Sequence, residues 1–286
     1  GRNLLRIALD KPNFQINTIA DTADKENLTY LLKYDSIYGT LNKEIELNNK
    51  GFSIKGNQIN FFSWEDSKDT EWQKENTDFV IQATGKSQSK SDCLKHIESG
   101  ARKVILASTP TDLTEIPIYV PGAHDIGFDL GSDVISLGSN TSIAAGPVLN
   151  VLDKEFGILN AYISTVHGYS NSNRLSDVAG EGLSRNRAAG ENIIPKMTQS
   201  AKVIEHAIPR LAGKIASSSI NVPVPDGSTL DLTIHFSKEV TVDEINAYIE
   251  KQSKETLDGY IDVTKDPIVS SDVVGSTYSG IIDSLA

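Results

Sequence analysis

The sequence predicts an α/β protein: a doubly wound parallel sheet in the first half of the chain, then an α+β domain with long antiparallel strands. Short apolar strands alternate with helices in the first half, whereas longer alternating strands dominate the second. A chain of 286 residues is also close to the size at which single hydrophobic cores stop growing. We therefore expect two domains.

The composition excludes several classes of protein. The chain has 38 acidic and 27 basic side chains, and its net charge of −11 repels nucleic-acid phosphates and anionic lipids. A single cysteine, Cys93, excludes an internal disulfide framework and leaves no Cys/His cluster with zinc spacing, so we expect no metal site. No apolar run reaches the roughly 20 residues of a membrane span. We expect a cytoplasmic protein that binds neither nucleic acid nor membrane.

The first half of the chain supplies the doubly wound pattern. The predicted elements are, in order, a helix at residues 4–9, a strand at 14–20, a helix at 27–34, a hairpin at 52–62, a strand at 79–82, a helix at 91–99, and strands at 103–107, 118–120 and 134–137. Strand, helix and strand at residues 79–107 form the right-handed crossover of a parallel sheet. Asp21 directly follows the strand at 14–20. An acid there either accepts ribose hydroxyls in a dinucleotide fold or caps the next helix.

Residues 135–167 organise the rest of the chain. They run from a strand through a turn of small polar residues into a helix and a second strand. Backbone N–H groups converge at such a turn, where α/β enzymes commonly place a nucleophile. The residue there is Asn140, preceded by Ser139, and His167 ends the second strand. None of these residues is a thiol.

The remaining elements complete the α+β domain. Thr141 or Ser142 can cap the helix of this segment, and Gly157 ends it. The later predicted elements are a helix at residues 197–208, strands at 214–222 and 229–236, a helix that a capping box at 241–244 opens and that runs to 251, and a strand-like stretch at 268–274. The polar loop at residues 168–190 is long enough to indicate a functional segment or an interface.

Motifs spread along the chain resemble one known family. They are Tyr34-Asp35-Ser36-Ile37-Tyr38-Gly39, Ala83-Thr84-Gly85, Thr165-Val166-His167-Gly168-Tyr169-Ser170, Asn192-Ile193-Ile194-Pro195, Asp231-Leu232-Thr233 and Val269-Ser270-Ser271-Asp272. In order and spacing they resemble glyceraldehyde-3-phosphate dehydrogenase. The resemblance implies a Rossmann-type, doubly wound NAD-binding domain at residues 1–138 and an α+β catalytic-type domain with a large, mostly antiparallel sheet at 139–286. It also implies a homo-oligomer, a tetramer, built partly through residues 168–190.

The resemblance also implies site residues. The catalytic positions are His167 and Asn140, the latter in place of the family's cysteine. The cofactor-binding positions are Gly1, Arg2, Asp21, Thr84 and Gly85. The substrate- or phosphate-binding positions are Ser139, Ser170, Ser172, Arg187, Thr198 and Asn221, with Arg185 as the alternative match to the family's loop arginine.

The nucleophile position departs from the family pattern. Aligned without gaps, Asn140 stands in the place of the family's cysteine, and a gapped alignment puts Ile143 there instead. The family attacks its aldehyde with that thiolate and removes a proton with its histidine. Asn140 can only donate a hydrogen bond to a developing oxyanion. Cys93 lies in a predicted helix, where packing is the favoured role.

The phosphate-binding positions are also altered. Gln199 follows Thr198 where the family has glycine, and Asn221 replaces an arginine. A charge-assisted contact to phosphate contributes about 1.5–3 kcal/mol, so losing the arginine weakens binding of a phosphorylated substrate about tenfold or more.

Both ends of the sequence fall inside the family pattern. Gly1 and Arg2 match the third glycine of Gly-x-Gly-x-x-Gly and its successor, and Ala286 precedes the family's last strand and helix. Either the sequence is part of a longer chain or the protein is truncated. We expect the former, because a parallel sheet without its central strand exposes unpaired backbone groups.

Two functions from different classes remain open. The first is a pseudoenzyme that keeps the fold, NAD binding and the oligomer without phosphorylating dehydrogenase activity. The second is an NAD-dependent oxidoreductase that acts on an aldehyde, oxo or alcohol substrate by direct hydride transfer, with His167 as acid/base. Direct hydride transfer needs no covalent intermediate.

Overall fold

A computed structural model describes residues 1–63, 70–86, 88–123, 131–180 and 182–286, which fall into two compact units. The first unit runs from Gly1 to Pro117 and includes a stretch that ends at Ser136. The second runs from Leu137 to Ala286 and includes a stretch that begins at Ile118. No helix within the described ranges is long and apolar enough to cross a membrane.

The described part of the first unit contains helices and three separate sheets. Its helices are α1 (Arg2–Ala8), α2 (Lys25–Lys33) and α3 (Lys90–Glu98). Its strands are β1 (Thr18–Asp21), β2 (Tyr34–Asp35), β3 (Gly39–Thr40), β4 (Ile45–Asn48), β5 (Gly51–Ile54), β6 (Asn57–Ser63), β7 (Phe79–Gln82), β8 (Lys103–Leu106) and β9 (Val134–Ser136). One sheet has the order β1-β6-β5-β4, a second has the order β7-β8-β9, and β2 pairs with β3.

The pairing in these sheets confirms the doubly wound pattern. β7, β8 and β9 are parallel, and α3 forms the predicted crossover between β7 and β8. β1 is parallel to β6, while β5 and β6 form the predicted hairpin. Two buried clusters stabilise the unit, one around Cys93 and Val104 and the other around Phe52, Ile54 and Leu32. Burying such apolar side chains is the dominant favourable term in folding.

The second unit is built on one four-stranded sheet. Its main elements are α4 (Asn140–Phe156), β10 (Ile158–Gly168), β11 (Ile194–Lys196), α5 (Ser200–Ala207), β12 (Ile215–Val222), β13 (Ser228–Phe236) and α6 (Val242–Ser253). The order is β11-β12-β10-β13, with β10 parallel to β12 and the other two pairings antiparallel. The predicted α+β domain with a mostly antiparallel sheet is confirmed. β12 and β13 are neighbours in sequence, yet β10 lies between them.

The helix α4 differs from the prediction at its first turn. Its N-cap is Ser139 rather than Thr141 or Ser142, because the Ser139 hydroxyl accepts the backbone N–H of Ser142 at 3.1 Å. The Ser142 hydroxyl in turn accepts the backbone N–H of Ser139 at 2.9 Å, which completes a capping box. Gly157 ends the helix at φ 68°, as predicted, since glycine adopts this conformation without steric cost.

Two predicted strands are absent from the described structure. Ile118 forms only an isolated bridge, residues 268–269 are irregular, and residues 270–274 form turns. In that second segment the Asp272 carboxylate accepts the Val269 N–H at 2.8 Å, which favours a turn over an extended chain. The nearby strands are instead the parallel pair β14 (Ile261–Thr264) and β15 (Gly280–Asp283).

Candidate functional site

A polar cavity of about 250 Å³ opens at one end of the second unit's sheet. At that end β10 and β12 finish, and β11, β13 and α4 begin. Its lining residues are Asn140, His167, Gly168, Tyr169, Ser170, Lys196, Asn221, Pro225, Asp226, Gly227 and Ser228. The structure therefore brings together four of the residues singled out from sequence: Asn140, His167, Ser170 and Asn221.

Strand register explains why these side chains meet. His167 on β10 pairs with Asn221 on β12 and with Ser228 on β13. Asn221 also pairs with Ile194 on β11. Paired residues of neighbouring strands point to the same face of a sheet, so this row directs its side chains to one side.

His167 is held as a neutral base. Its Nδ1 lies 2.7 Å from the Ser228 hydroxyl, and this hydrogen bond fixes the ring. Burial lowers the pKa of His167 below its usual value, and the positive charge of Lys196 lowers it further. The imidazole is therefore largely neutral near pH 7 and able to accept a proton.

Asn140 is the first residue of α4, and its side chain bonds locally. The side-chain carbonyl accepts the backbone N–H of Thr141 at 2.9 Å, and the Ser139 hydroxyl accepts that of Ser142. Two N–H groups of the first turn are thus already paired, although such groups usually make a helix N-terminus favourable for an oxyanion.

The side chain of Asn221 links two strands through a hydrogen bond. It is only 4% exposed, and its amide donates a hydrogen bond of 3.0 Å to the carbonyl of Gly168. That bond joins the ends of β12 and β10. The amide is consequently committed to backbone, unlike the mobile guanidinium of an arginine.

The other four predicted substrate-binding residues do not line this cavity. The Ser139 hydroxyl caps α4, and the Ser172 hydroxyl bonds that of Ser170 at 2.9 Å. Arg187 donates from Nε to the Asp177 carboxylate at 2.9 Å, and the Thr198 hydroxyl lies 2.8 Å from that of Ser200. Their roles in binding stay predictions.

The sequence analysis did not predict the other lining residues as site residues, and Lys196, Asp226 and Ser228 are among them. Lys196 directly follows the motif at residues 192–195, and Ser228 directly follows Pro225-Asp226-Gly227, a sequence typical of a turn. These two neighbouring segments were the sequence signals that could have pointed to Lys196 and Ser228. Neither reveals which side chains face His167, because that depends on the pairing of β10 with β13.

The predicted cofactor-binding residues gather in the first unit. Gly1, Arg2, Asp21 and Thr84 line one cleft of about 250 Å³, and Gly85 follows Thr84 at φ +69°. The Thr84 hydroxyl donates to the Lys86 carbonyl at 2.9 Å. Arg2 donates to the Leu31 carbonyl at 2.8 Å.

The structure tests one of the two interpretations of Asp21, the helix cap. Asp24, not Asp21, is the N-cap of α2, since its carboxylate accepts the Asn27 N–H at 2.8 Å. Asp21 ends β1, and its Oδ1 accepts the Ala23 N–H at 3.0 Å. The helix-cap alternative for Asp21 is wrong.

Comparison with known proteins agrees with this geometry. Residues 1–90 match the family model "Glyceraldehyde 3-phosphate dehydrogenase, NAD binding domain", and residues 139–286 match "Glyceraldehyde 3-phosphate dehydrogenase, C-terminal domain". The chain belongs to the glyceraldehyde-3-phosphate dehydrogenase family. It is 40% identical over 286 residues to glyceraldehyde-3-phosphate dehydrogenase 2 of Streptomyces avermitilis, covering 99% of this chain and 85% of that protein.

Other relatives give the same result. The chain is 37% identical over 286 residues to glyceraldehyde-3-phosphate dehydrogenase of Geobacillus stearothermophilus, with 100% of this chain and 85% of the relative covered. It is 38% identical over 292 residues to the Borreliella burgdorferi protein of that name, with 100% and 86% covered. The resemblance seen in the motifs is confirmed.

NAD is the cofactor that membership of this family assigns to the chain. The residues of the first unit fit it. Asp21 stands at the end of a parallel strand, where an acid accepts ribose hydroxyls. A Cβ placed on Gly1 or on Gly85 would meet nothing within 4 Å, so the backbone is open to a ligand at both positions.

The chain's one cysteine is no candidate nucleophile. Cys93 is fully buried in the core of the first unit. Burial raises the pKa of its thiol to about 11, and the nearby charge of Asp92 adds to the effect. Cys93 is therefore a protonated, packed side chain at neutral pH.

We expect Lys196→Gln to raise the pKa of His167, because it removes the nearby cation while leaving the burial in place. Burial is the larger cause, so we expect only partial recovery of the usual value of about 6.5. NMR titration of ring-labelled histidines measures this pKa, and Lys251→Gln is the control, since Lys251 is exposed and lies outside the cavity lining. An unchanged or lower pKa in Lys196→Gln contradicts the expectation.

The same pKa predicts how stability depends on pH. The folded pKa of His167 is lower than the unfolded one, so the unfolded chain binds more protons between the two values. His167 therefore lowers the free energy of unfolding as the pH falls below about 6.5, and it has no such effect above that pH.

Proposed function

We propose that the chain is an NAD-binding protein of this family that lacks phosphorylating dehydrogenase activity. The observation that supports this most directly is Asn140, which occupies the start of α4 in the His167 cavity, where the aligned family carries its nucleophilic cysteine. An amide forms no hemithioacetal and no thioester. Removing the nucleophile of a catalytic unit costs on the order of 10⁴ to 10⁶ in rate.

The hydrogen bonds of the cavity support the same proposal. Asn140 and Ser139 pair first-turn N–H groups of α4, and the Asn221 amide is held by the Gly168 carbonyl. A substrate oxygen competes with these bonds, and a phosphate finds no arginine at position 221. Loss of the thiol and loss of the arginine thus act on different steps, the first on chemistry and the second on binding.

A second function is favoured by the state of His167. Its hydrogen bond to Ser228 and its lowered pKa keep an oriented, neutral base in the cavity. Such a base can take the hydroxyl proton of an alcohol or of an aldehyde hydrate. NAD, when bound, accepts the hydride in such a reaction. The alternative proposal is therefore direct hydride transfer on an aldehyde, oxo or alcohol substrate.

We expect no NADH formation from glyceraldehyde-3-phosphate, NAD and inorganic phosphate, because no residue of the cavity can carry the thioester that phosphate cleaves. Absorbance of NADH measures this, and a panel of simple aldehydes and alcohols tests the alternative in the same assay. Turnover of glyceraldehyde-3-phosphate at about 1 per second, within the ordinary enzyme range, overturns the proposal.

Two variants serve as controls for that assay. Asn140→Cys should gain a thiol with some thiolate character at the helix N-terminus and recover at most weak aldehyde oxidation, whereas Asn140→Ser should recover none.

We expect NAD to bind more tightly than NADP, because the carboxylate of Asp21 accepts ribose hydroxyls and repels a 2′-phosphate. Calorimetric titration of both cofactors measures the ratio. Asp21→Asn should reduce the preference for NAD, whereas Asp24→Asn should not, since asparagine also caps a helix and that position serves only α2. Equal binding of the two cofactors by the unmodified chain contradicts the assignment of Asp21.

We also propose a homo-oligomer, a tetramer, located in the cytoplasm. The loop at residues 168–190 and the neighbouring β11 region expose large apolar side chains, among them Leu175 (84% exposed), Leu183 (90%) and Met197 (93%). Grouped apolar side chains of this size mark surfaces that other protein covers.

We expect the double change Leu175→Asp and Leu183→Asp to lower the molecular mass measured by sedimentation equilibrium, because each buries a charge in the interface. Leu47→Asp, at an exposed apolar position on β4, is the control and should leave the mass unchanged. A monomeric unmodified chain, or a double variant that still forms the full assembly, contradicts this part of the proposal.

A further inference from the structure

The hydroxyl of Ser228 lies beside the imidazole of His167 in the polar cavity. Its Oγ is 2.7 Å from Nδ1, within the roughly 2.6–3.2 Å that separates an activated nucleophile from its base. Ser228 is exposed, and its hydroxyl has no second hydrogen-bond partner in the part of the chain that the structure describes. The two side chains therefore have the arrangement of a hydroxyl nucleophile and a general base.

The pairing of two strands holds this hydroxyl and this imidazole together. His167 and Ser228 are directly paired residues of β10 and β13, so their side chains project to the same face of the sheet. Side chains on paired strands keep their mutual geometry better than side chains on loops. The contact therefore belongs to the sheet, and an incoming ligand meets it already formed.

The imidazole has the charge state that a general base needs. Burial and the positive charge of Lys196 lower the pKa of His167, so the ring is largely neutral near pH 7. A neutral histidine carries its proton on one ring nitrogen and a lone pair on the other. With the proton on Nε2, the lone pair of Nδ1 accepts the hydrogen of the Ser228 hydroxyl and can remove it when the oxygen attacks.

Asn140 adds a hydrogen-bond donor to the same cavity. Its Oδ1 accepts the backbone N–H of Thr141 at 2.9 Å, which orients the amide group at the start of α4. The amide nitrogen has no partner among the described residues, and Asn140 is exposed in the lining. One positioned amide donor to a developing oxyanion contributes about 10²- to 10³-fold in rate in enzymes that transfer acyl groups.

The size of the cavity limits the acyl group that it accepts. Its volume of about 250 Å³ is below the roughly 300–1,000 Å³ of pockets that bind drug-sized molecules. We therefore expect a short acyl chain such as acetyl.

We propose that this cavity hydrolyses small esters, with Ser228 as the nucleophile, His167 as the general base and Asn140 as the donor to the oxyanion. The Ser228 oxygen forms a bond to the ester carbonyl carbon while its proton moves to Nδ1 of His167. The bond from that carbon to the leaving alkoxide then breaks, and the alkoxide takes the proton. Water attacks the acyl-serine in the same way, which releases the carboxylic acid and restores the hydroxyl. The reaction uses neither NAD nor a thiol, so it goes beyond the proposed function and does not depend on it.

p-Nitrophenyl acetate is the probe that tests this proposal. It is added to the full chain near neutral pH without NAD or phosphate, and the absorbance of p-nitrophenolate measures release. Samples quenched in acid are digested, and mass spectrometry of the peptides locates the acetyl group. We expect saturable release and an acetyl group on Ser228. His167→Gln should slow release about 10²- to 10⁴-fold, which is the usual contribution of a general base.

Three variants of β13 separate the nucleophile from the strand that carries it. Ser228→Ala should lose the acetylation at this position and, because Ser228 is exposed, keep its thermal unfolding temperature. Ser228→Thr keeps a hydroxyl and should still be acetylated there. Thr229→Ala is the control, since it removes an exposed hydroxyl from the opposite face of the same strand and should behave as the unmodified chain.

The position of the ring proton gives a second, independent measurement. The ¹⁵N chemical shifts of the His167 ring identify the protonated nitrogen in the resting protein, and we expect Nε2. A proton on Nδ1 overturns the proposal, because Nδ1 is then a donor to Ser228 and cannot take its proton.

The proposal is also overturned if release is no faster than without protein, if Ser228→Ala releases p-nitrophenolate as fast as the unmodified chain, or if the acetyl group is found on Lys196 or His167 and not on Ser228. These outcomes are separate from those of the dehydrogenase assay. Oxidation of glyceraldehyde-3-phosphate refutes the proposed loss of activity and does not affect acetylation of Ser228. A chain that is never acetylated at Ser228 refutes the present inference and still has no thiol at position 140.

Discussion

The double pairing of β10 is the constraint on which the candidate site depends. Its parallel register with β12 and its antiparallel register with β13 set His167 between Asn221 and Ser228. A slip of one residue in either register turns every side chain of the strand to the opposite face. The apolar residues that β10 buries, such as Ile163, therefore fix the position of the histidine as well as the core.

The hydrogen bonds that stabilise this region also limit its chemistry. Ser139 and Asn140 satisfy the first turn of α4, and Asn221 ties β12 to β10. Each of these bonds occupies an N–H group that could otherwise donate to the oxygen of a reacting carbonyl or of a phosphate. Buried and capping polar groups must be satisfied, and here neighbouring protein groups do so. Among the described residues, the lining also contains the neutral imidazole of His167, the ammonium of Lys196, the carboxylate of Asp226 and the hydroxyl of Ser170.

Family membership and local chemistry answer different questions about this chain. Identity of 40% over 286 residues, spread across both domain matches, establishes the fold and the cofactor. It says less about the reaction, because activity depends on a few side chains in one cavity. The proposed loss of phosphorylating activity depends on one such side chain, that of Asn140 at the start of α4.

The sequence by itself determined the order of the helices and of the longer strands, the two-domain character and the family, because periodic apolar patterns, glycine-terminated helices and spaced motifs are local properties. It placed the crossover through α3 and the capping box of α6. It placed the cap of α4 at the wrong residue and predicted a strand at residues 268–274 that the structure does not contain. Short polar and apolar runs suit several conformations. The tertiary structure alone decided that β10 separates β12 from β13, and that Lys196 and Ser228 face His167. Such contacts join residues far apart in the chain, so only strand pairing and register specify them.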